Sequence, residues 1–253
     1  MDKTKQPYGT VLIKASHILD FLSSCDEPQS LNKIAKETGL TNSTALKILD
    51  TLLMIGYVQK NAELKKFSLG LSIIKYANKS INNLDIKKIA QPHLEELQRV
   101  TNETVHLGIQ DKDSIIYITK IESKNPICLY SKVGNSIPMY CSAMGKAILA
   151  YSSDEEIKNY LDRNPLNKLT NNTITNKSEF MEEILKIREM GYAYDNGEHE
   201  EDVFCIGASI TLNHKNYGAF SVSIPKYRLT EEFQKQIIEA IKICENNILN
   251  NLH

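Results

Sequence analysis

The stretch from Ser30 to Tyr57 constrains this 253-residue chain more than any other part of it. Leu31, Ile34 and Ala35 recur at helical spacing, and Gly39 supplies the turn that a second helix needs. Thr41 or Asn42 can cap that second helix, whose apolar stripe is Ala45, Ile48, Leu49, Leu52 and Leu53. The stripe leaves Ser43, Thr44, Lys47 and Thr51 outside, near the helix start. A recognition helix makes its base and phosphate contacts from that region. Ser30 and Asn42, beside the two helix starts, join Ser43, Thr44 and Lys47 as candidate DNA contacts. The competing reading of the same two helices is an αα-hairpin in some other core.

The flanking sequence weighs between these readings. After Gly56, Tyr57–Lys60 and Lys66–Leu69 read as two short strands around a turn at 61–63, which makes a β-hairpin wing. Lys60, Lys65 and Lys66 sit where such a wing reaches backbone phosphates. Upstream, Val11–Leu22 reads as a third helix, with Leu12, Ala15, Leu19 and Leu22 on a face able to close the core. Three helices followed by a wing make a winged helix-turn-helix.

Charge is divided along the chain. Residues 1–84 hold 11 Lys against 7 acidic residues, a net +4, whereas the remainder nets −5. A mildly basic front and an acidic back fit a small DNA-facing module carried by a larger domain. The overall charge of −1 argues against indiscriminate coating of nucleic acid. Five cysteines lie far apart without a Cys-x-x-Cys pair. With no secretory leader and no apolar run of bilayer length, they imply reduced thiols, a cytoplasmic setting and no membrane contact.

Residues 70–81 read as a linker helix, available for dimer contact or for packing on the wing, and broken at 82–83. A second amphipathic helix opens at Asp85 and runs to about Thr101, with Pro92 inside as a potential kink. From Glu103 the period changes to that of strands: Thr104–Gln110, Ser114–Ile121 and Ile127–Val133. Helices follow near Ser142–Tyr151, Asp154–Asp162 and Ser178–Met190. Three more strands, Tyr192–Asn196, Val203–Leu212 and Tyr217–Ile224, precede a closing helix from Thr230 to about Leu249. This is an α+β domain with a mainly antiparallel sheet.

Three stretches beyond the hairpin carry a family likeness. Gly134–Ala150 is a glycine, proline and small-residue loop ending in Gly145-Lys146-Ala147 and an apolar helix. Gly191–Ala208 is an acidic stretch before a cysteine-bearing strand, and Gly218–Pro225 is a serine-alternating strand ending in proline. With these, nearly the whole chain resembles the IclR family of bacterial transcriptional regulators. The resemblance implies a winged helix-turn-helix over 1–69, a linker helix over 70–83 and a GAF-like effector-binding domain over 84–253. It implies a homodimer or dimer of dimers on a double-stranded DNA operator, more often repressing, with no cofactor and no catalysis. Family members usually carry arginine where Lys47 stands; lysine keeps the charge without the planar fork, which makes it a phosphate contact rather than a base reader.

By the same likeness the effector pocket is lined by Ser142, Ala143, Met144 and Gly145, with Asp195, Cys205, Ser221 and Ser223. Physical reasons stand beside the analogy. Backbone N–H groups at a helix start can face an anionic oxygen. Two serines two residues apart on a strand share a face. Such donors, with Asp195 to accept from a hydroxyl, suit a small organic or sugar acid. The alternative is that the serines satisfy neighbouring strands and the loop only caps its helix.

Other chemistries fit poorly. A phosphate-binding loop around Gly145-Lys146 would need glycine at Tyr140 and serine or threonine at Ala147. No nucleophile elbow or dinucleotide fingerprint appears. Residues 198–202 with Cys205 could gather a metal through His199 and Cys205, but read better as a solvated acidic loop. His17, His93 and His106 have no evident partner of the kind a base needs. The competing class is a metabolite-binding or metabolite-processing enzyme whose front hairpin only packs.

Overall fold

A computed structural model describes residues 8–61, 63–82, 85–124 and 131–252. The chain divides into two compact units, Met1–Asn83 and Leu84–His253.

In the first unit, α1 (Thr10–Ser23) precedes β1 (Gln29–Ser30), α2 (Leu31–Glu37) and α3 (Asn42–Met54). Strands β2 (Val58–Asn61) and β3 (Lys66–Leu69) then form the wing, and α4 (Ser72–Asn82) follows. Gly39, at φ +66°, makes the left-handed turn between α2 and α3. Thr41, not Asn42, caps α3: its side chain accepts from the Thr44 amide, while the Asn42 amide group donates to Asn32. Ile18, Leu22, Ile34, Ile48, Leu49, Leu52, Val58 and Phe67 close one core.

Two details differ from expectation. Leu12 is exposed, and α1 packs instead through Ile18 and Leu22, with Ala15 and Leu19 half-buried. The wing also has a third strand: β1 pairs antiparallel with β3, setting Gln29 opposite Phe67 and Ser30 opposite Lys66. Two residues are too few for any periodicity to reveal. Helix α4 does contact its own wing, since the Tyr76 ring meets Tyr57 edge-on at 5.7 Å.

The second unit starts with α5 (Asp85–Thr101), which runs through Pro92. Strands β4 (Thr104–Asp111), β5 (Ser114–Ile121) and β6 (Ser136–Pro138) follow, then α6 (Ala143–Ala150), α7 (Asp154–Arg163) and α8 (Lys177–Met190). Strands β7 (Ala193–Asn196), β8 (Val203–Leu212) and β9 (Lys215–Pro225) lead to α9 (Glu231–Asn250). The six strands make one sheet in the order β6-β5-β4-β9-β8-β7, and all its pairings are antiparallel.

Part of the expected strand Ile127–Val133 lies outside the described residues. Ser131–Val133 are not in a strand; β6 pairs with β5 instead, and is placed at the sheet edge. Its Pro138 explains why it reads as loop, because proline is confined to edges and bulges of sheets.

Alternation along the strands builds two cores. Val105, Leu107, Ile206, Ala208, Phe220, Val222 and Ile224 face α5 and α9. Ile115, Ala193 and Ala219 face the layer of α6, α7 and α8. On that second face, the positions between the apolar ones carry the polar side chains of the candidate site.

Candidate functional site

Two rows of residues in register cross the centre of the sheet. The first runs Thr104, Ser223, Cys205 and Asp195 over β4, β9, β8 and β7; the second, two residues along, runs His106, Ser221, Gly207 and Ala193. Neighbouring strands therefore present hydroxyl, thiol, imidazole and carboxylate on one face. Gly207 admits the helix that covers them: a Cβ there would come within 3.1 Å of the Ala143 carbonyl carbon and the Met144 nitrogen. The start of α6 is thus pressed onto the polar row.

A cavity of about 30 Å³ lies at this junction. Ser142, Ala143, Met144, Asp195, Cys205, Ser221 and Ser223 line it, seven of the eight residues expected there. Gly145 is the exception, because its amide donates to the Ser142 hydroxyl oxygen at 3.1 Å and is closed off by the cap. The Ser142 hydroxyl in turn donates to the Pro138 carbonyl at 3.0 Å. Ala143 and Met144 open α6, where amide groups have no acceptor inside the helix.

The sequence reading missed His106, Tyr117, Ser131, His199 and Glu200, which also line the cavity. His106 lies 2.8 Å from the Ser131 hydroxyl through Nε2 and 3.3 Å from the Ser223 hydroxyl through Nδ1. It therefore has two polar partners after all. Burial, helped by the Lys120 charge, brings its pKa down to about 3, so the ring is neutral at physiological pH. A neutral ring has one donor and one acceptor nitrogen, so the two hydroxyls have complementary roles. Ser223 also lies 3.2 Å from the Cys205 sulfur. Burial pushes that thiol well above its usual range, so it is a neutral wall and not a nucleophile.

Asp195 is buried, and burial raises its pKa to about 6 against the Glu198 amide, which donates to it at 2.6 Å. Beneath this lies a buried ion pair. The Lys146 ammonium, from α6, meets the Glu198 carboxylate, with Glu183 at 3.6 Å. Burial raises Glu198 toward about 7 against the pull of Lys146. Thr170 and Thr173 donate to the carbonyls of Gly197 and Glu198, fixing the loop that carries His199 and Glu200. Among the described residues no three His, Cys, Asp or Glu side chains form a metal-binding group. A second cavity, of about 170 Å³, includes Tyr151, Ile187 and Arg188, but Arg188 donates to the Ala150 and Ser152 carbonyls and to Asp154. That arginine caps a helix end rather than awaiting a ligand.

In the first unit, Asn42, Ser43 and Lys47 are exposed on α3. Thr44 is half-buried and its hydroxyl accepts from Thr41, which ties it to the cap. Ser30 is exposed but caps α2, accepting from the Lys33 amide at 3.4 Å. Lys60 and Lys65 are exposed on the wing, with Lys60 over the Phe67 ring at 5.2 Å; Lys66 is half-buried in the pairing of β3. The wing turn is held by the Asn61 side chain, which accepts from the amides of Glu63 and Leu64.

Comparison with known proteins accounts for both units. The bacterial transcriptional regulator IclR C-terminal family model matches residues 78–250, and the IclR helix-turn-helix domain model matches residues 11–62. The HTH-type transcriptional regulator KdgR of Escherichia coli (strain K12) is 31% identical over 252 residues, spanning 98% of this chain and 94% of that protein. The crystal structure of the Thermotoga maritima IclR shares 32% identity at a TM-score of 0.76, covering 97% of this chain and 99% of that one. An IclR homologue from Microbacterium hydrocarbonoxydans, solved with 4-hydroxybenzoate, has the same fold: TM-score 0.81 at 19% identity, covering 96% of this chain and 98% of that one. Among the described residues no helix is long and apolar enough to cross a membrane. The chain belongs to the IclR family of bacterial transcriptional regulators, and is a DNA-binding regulator rather than an enzyme.

Proposed function

We propose that this regulator represses transcription by occupying an operator, and that a small carboxylate-bearing metabolite in the sheet-face pocket releases or retunes it. One observation carries the ligand reading: α6 starts with Ala143 and Met144 at a cavity otherwise ringed by hydroxyls, the imidazoles of His106 and His199 and the carboxyl groups of Asp195 and Glu200. The amides at this helix start suit an anionic group. Asp195, Ser221 and Ser223 suit hydroxyls elsewhere on the same molecule, which favours a hydroxy or sugar acid over a plain fatty acid. The 4-hydroxybenzoate bound by the Microbacterium homologue is likewise a carboxylate with a hydroxyl. The cavity is small, so the effector is compact or displaces the flexible Met144 side chain as it enters.

The reading head is α3 with the wing. Ser43 enters the major groove, Asn42 and Ser30 border it, and Lys47 with Lys60, Lys65 and Lys66 follows the phosphates. Thr44 supports this surface by holding the cap. The chain acts as a homodimer, alone or paired, in the cytoplasm. Val11 and Leu12 on α1, with Ile74 on α4, are exposed apolar side chains that a second copy would cover. Effector binding alters the spacing of two reading heads, a coupling of about 1–3 kcal/mol.

A thermal-shift screen of small hydroxy and sugar acids tests the ligand class. A stabilising acid whose corresponding amide has no effect supports it, because the amide keeps the shape and loses the charge. Stabilisation by neutral sugars alone refutes the carboxylate.

A further inference from the structure

Leu46 is the large apolar side chain exposed beside Ser43, Lys47 and Asp50 in the first turns of α3; Met54, the other exposed one, lies at the far end of the helix. Leu46 is 38% exposed, while Ala45, Ile48, Leu49 and Leu52 bury the opposite face. It has no place among the residues packed in the core of its unit. Residues three and four apart are neighbours on a helix, so Leu46 adjoins Ser43 behind it and Asp50 one turn ahead. The Asp50 carboxylate is exposed and repels phosphate. Apolar at Leu46 and acidic at Asp50, this strip suits base edges better than phosphates, which fall to Lys47 and the wing lysines.

A side chain with no donor or acceptor can read only one feature of the major groove. The four bases present donors, acceptors and, on thymine alone, a 5-methyl group. A leucine held against cytosine or adenine there would leave their polar edges unpaired. We infer that Leu46 is a specificity-determining residue that selects thymine in each half-site through its 5-methyl group. The inference rests on the regulator reading above and deepens it, turning a generic groove contact into an assigned base.

The experiment starts from duplexes selected from random sequence by the full-length protein. Thymines of the selected half-site are replaced one at a time by uracil, which deletes the methyl group and leaves the pairing edge unchanged. Affinity is read by fluorescence anisotropy for the wild type and for Leu46→Ala. The wild type is expected to lose about fourfold per uracil at one position of each half-site, the transfer value of one methyl-sized group. Leu46→Ala should bind thymine and uracil duplexes alike. A second variant, Leu46→Gln, should shift selection at that position from thymine to adenine, since the amide matches the adenine edge. Equal uracil penalties in wild type and Leu46→Ala, or no penalty in either, would overturn the assignment while leaving the regulator intact. Failure of the wild type to select any sequence would sink the regulator reading itself, and this inference with it.

Discussion

Lowering the pH should weaken the wild-type fold relative to a variant without the His106 imidazole. The folded-state pKa of His106 lies near 3, below the ordinary value of 6.5, because the ring is buried and faces the Lys120 charge. The unfolded chain therefore takes up a proton below pH 6.5 that the folded chain refuses until about pH 3. Stability from this group is complete above pH 6.5 and is lost as the pH falls through that window. At about 1.36 kcal/mol per unit, the loss between pH 7 and pH 5 is about 2 kcal/mol. Asp195 and Glu198 act with the opposite sign. Their folded values are raised to about 6 and about 7, so acid relieves them and adds stability over the same range. A single wild-type profile would thus mix gains with losses, and only a difference isolates the imidazole. Urea denaturation of wild type and His106→Asn, at half-unit steps from pH 7 to 5, gives that difference. The gap between the two proteins should close by about 2 kcal/mol as the pH falls. Parallel profiles would mean that the ring takes up its proton while folded, and that burial beside Lys120 does not hold it neutral.

Three further outcomes are expected. Ser221→Ala combined with Ser223→Ala should weaken the effector by about 1–3 kcal/mol, two hydrogen bonds' worth, and leave DNA affinity within a few-fold; calorimetry on the two ligands separates the effects. Lys47→Ala should lower affinity across all DNA sequences and reduce the slope of log K against log salt by about one, readable by anisotropy titrations. Lys146→Met should cost about 3–5 kcal/mol in chemical denaturation because it strands the buried Glu198 carboxylate, and adding Glu198→Gln should restore part of that loss.

The winged helix and the antiparallel sheet were legible because their cores follow simple periods. The stripe of α3 repeats over three turns and the alternation along β8 and β9 over several residue pairs, and both lie where the sequence puts them. The pocket was legible in part. Ser221 and Ser223 could be assigned to one face by counting, but His106 sits more than a hundred residues upstream on β4. Only the pairing of β4 with β9 sets it opposite Ser221. No local pattern carries that information. Gly145 failed for the opposite reason: its position at the helix start was read correctly, yet the cap formed by Ser142 claims its amide. The strand β6 escaped because three residues ending in proline do not make a period.

The small strand β1 has a consequence for regulation. Its two residues end at Ser30, which caps α2, and they pair with β3, whose own partner is β2. Helix α2 and the hairpin are thereby joined through the β1–β3 pairing, and α3 packs with both in the one core of this unit. On the function proposed above, metabolite control is expected to shift this unit as a whole rather than to reshape its parts. In the proposed dimer, an effector would then act by changing the distance between two such units.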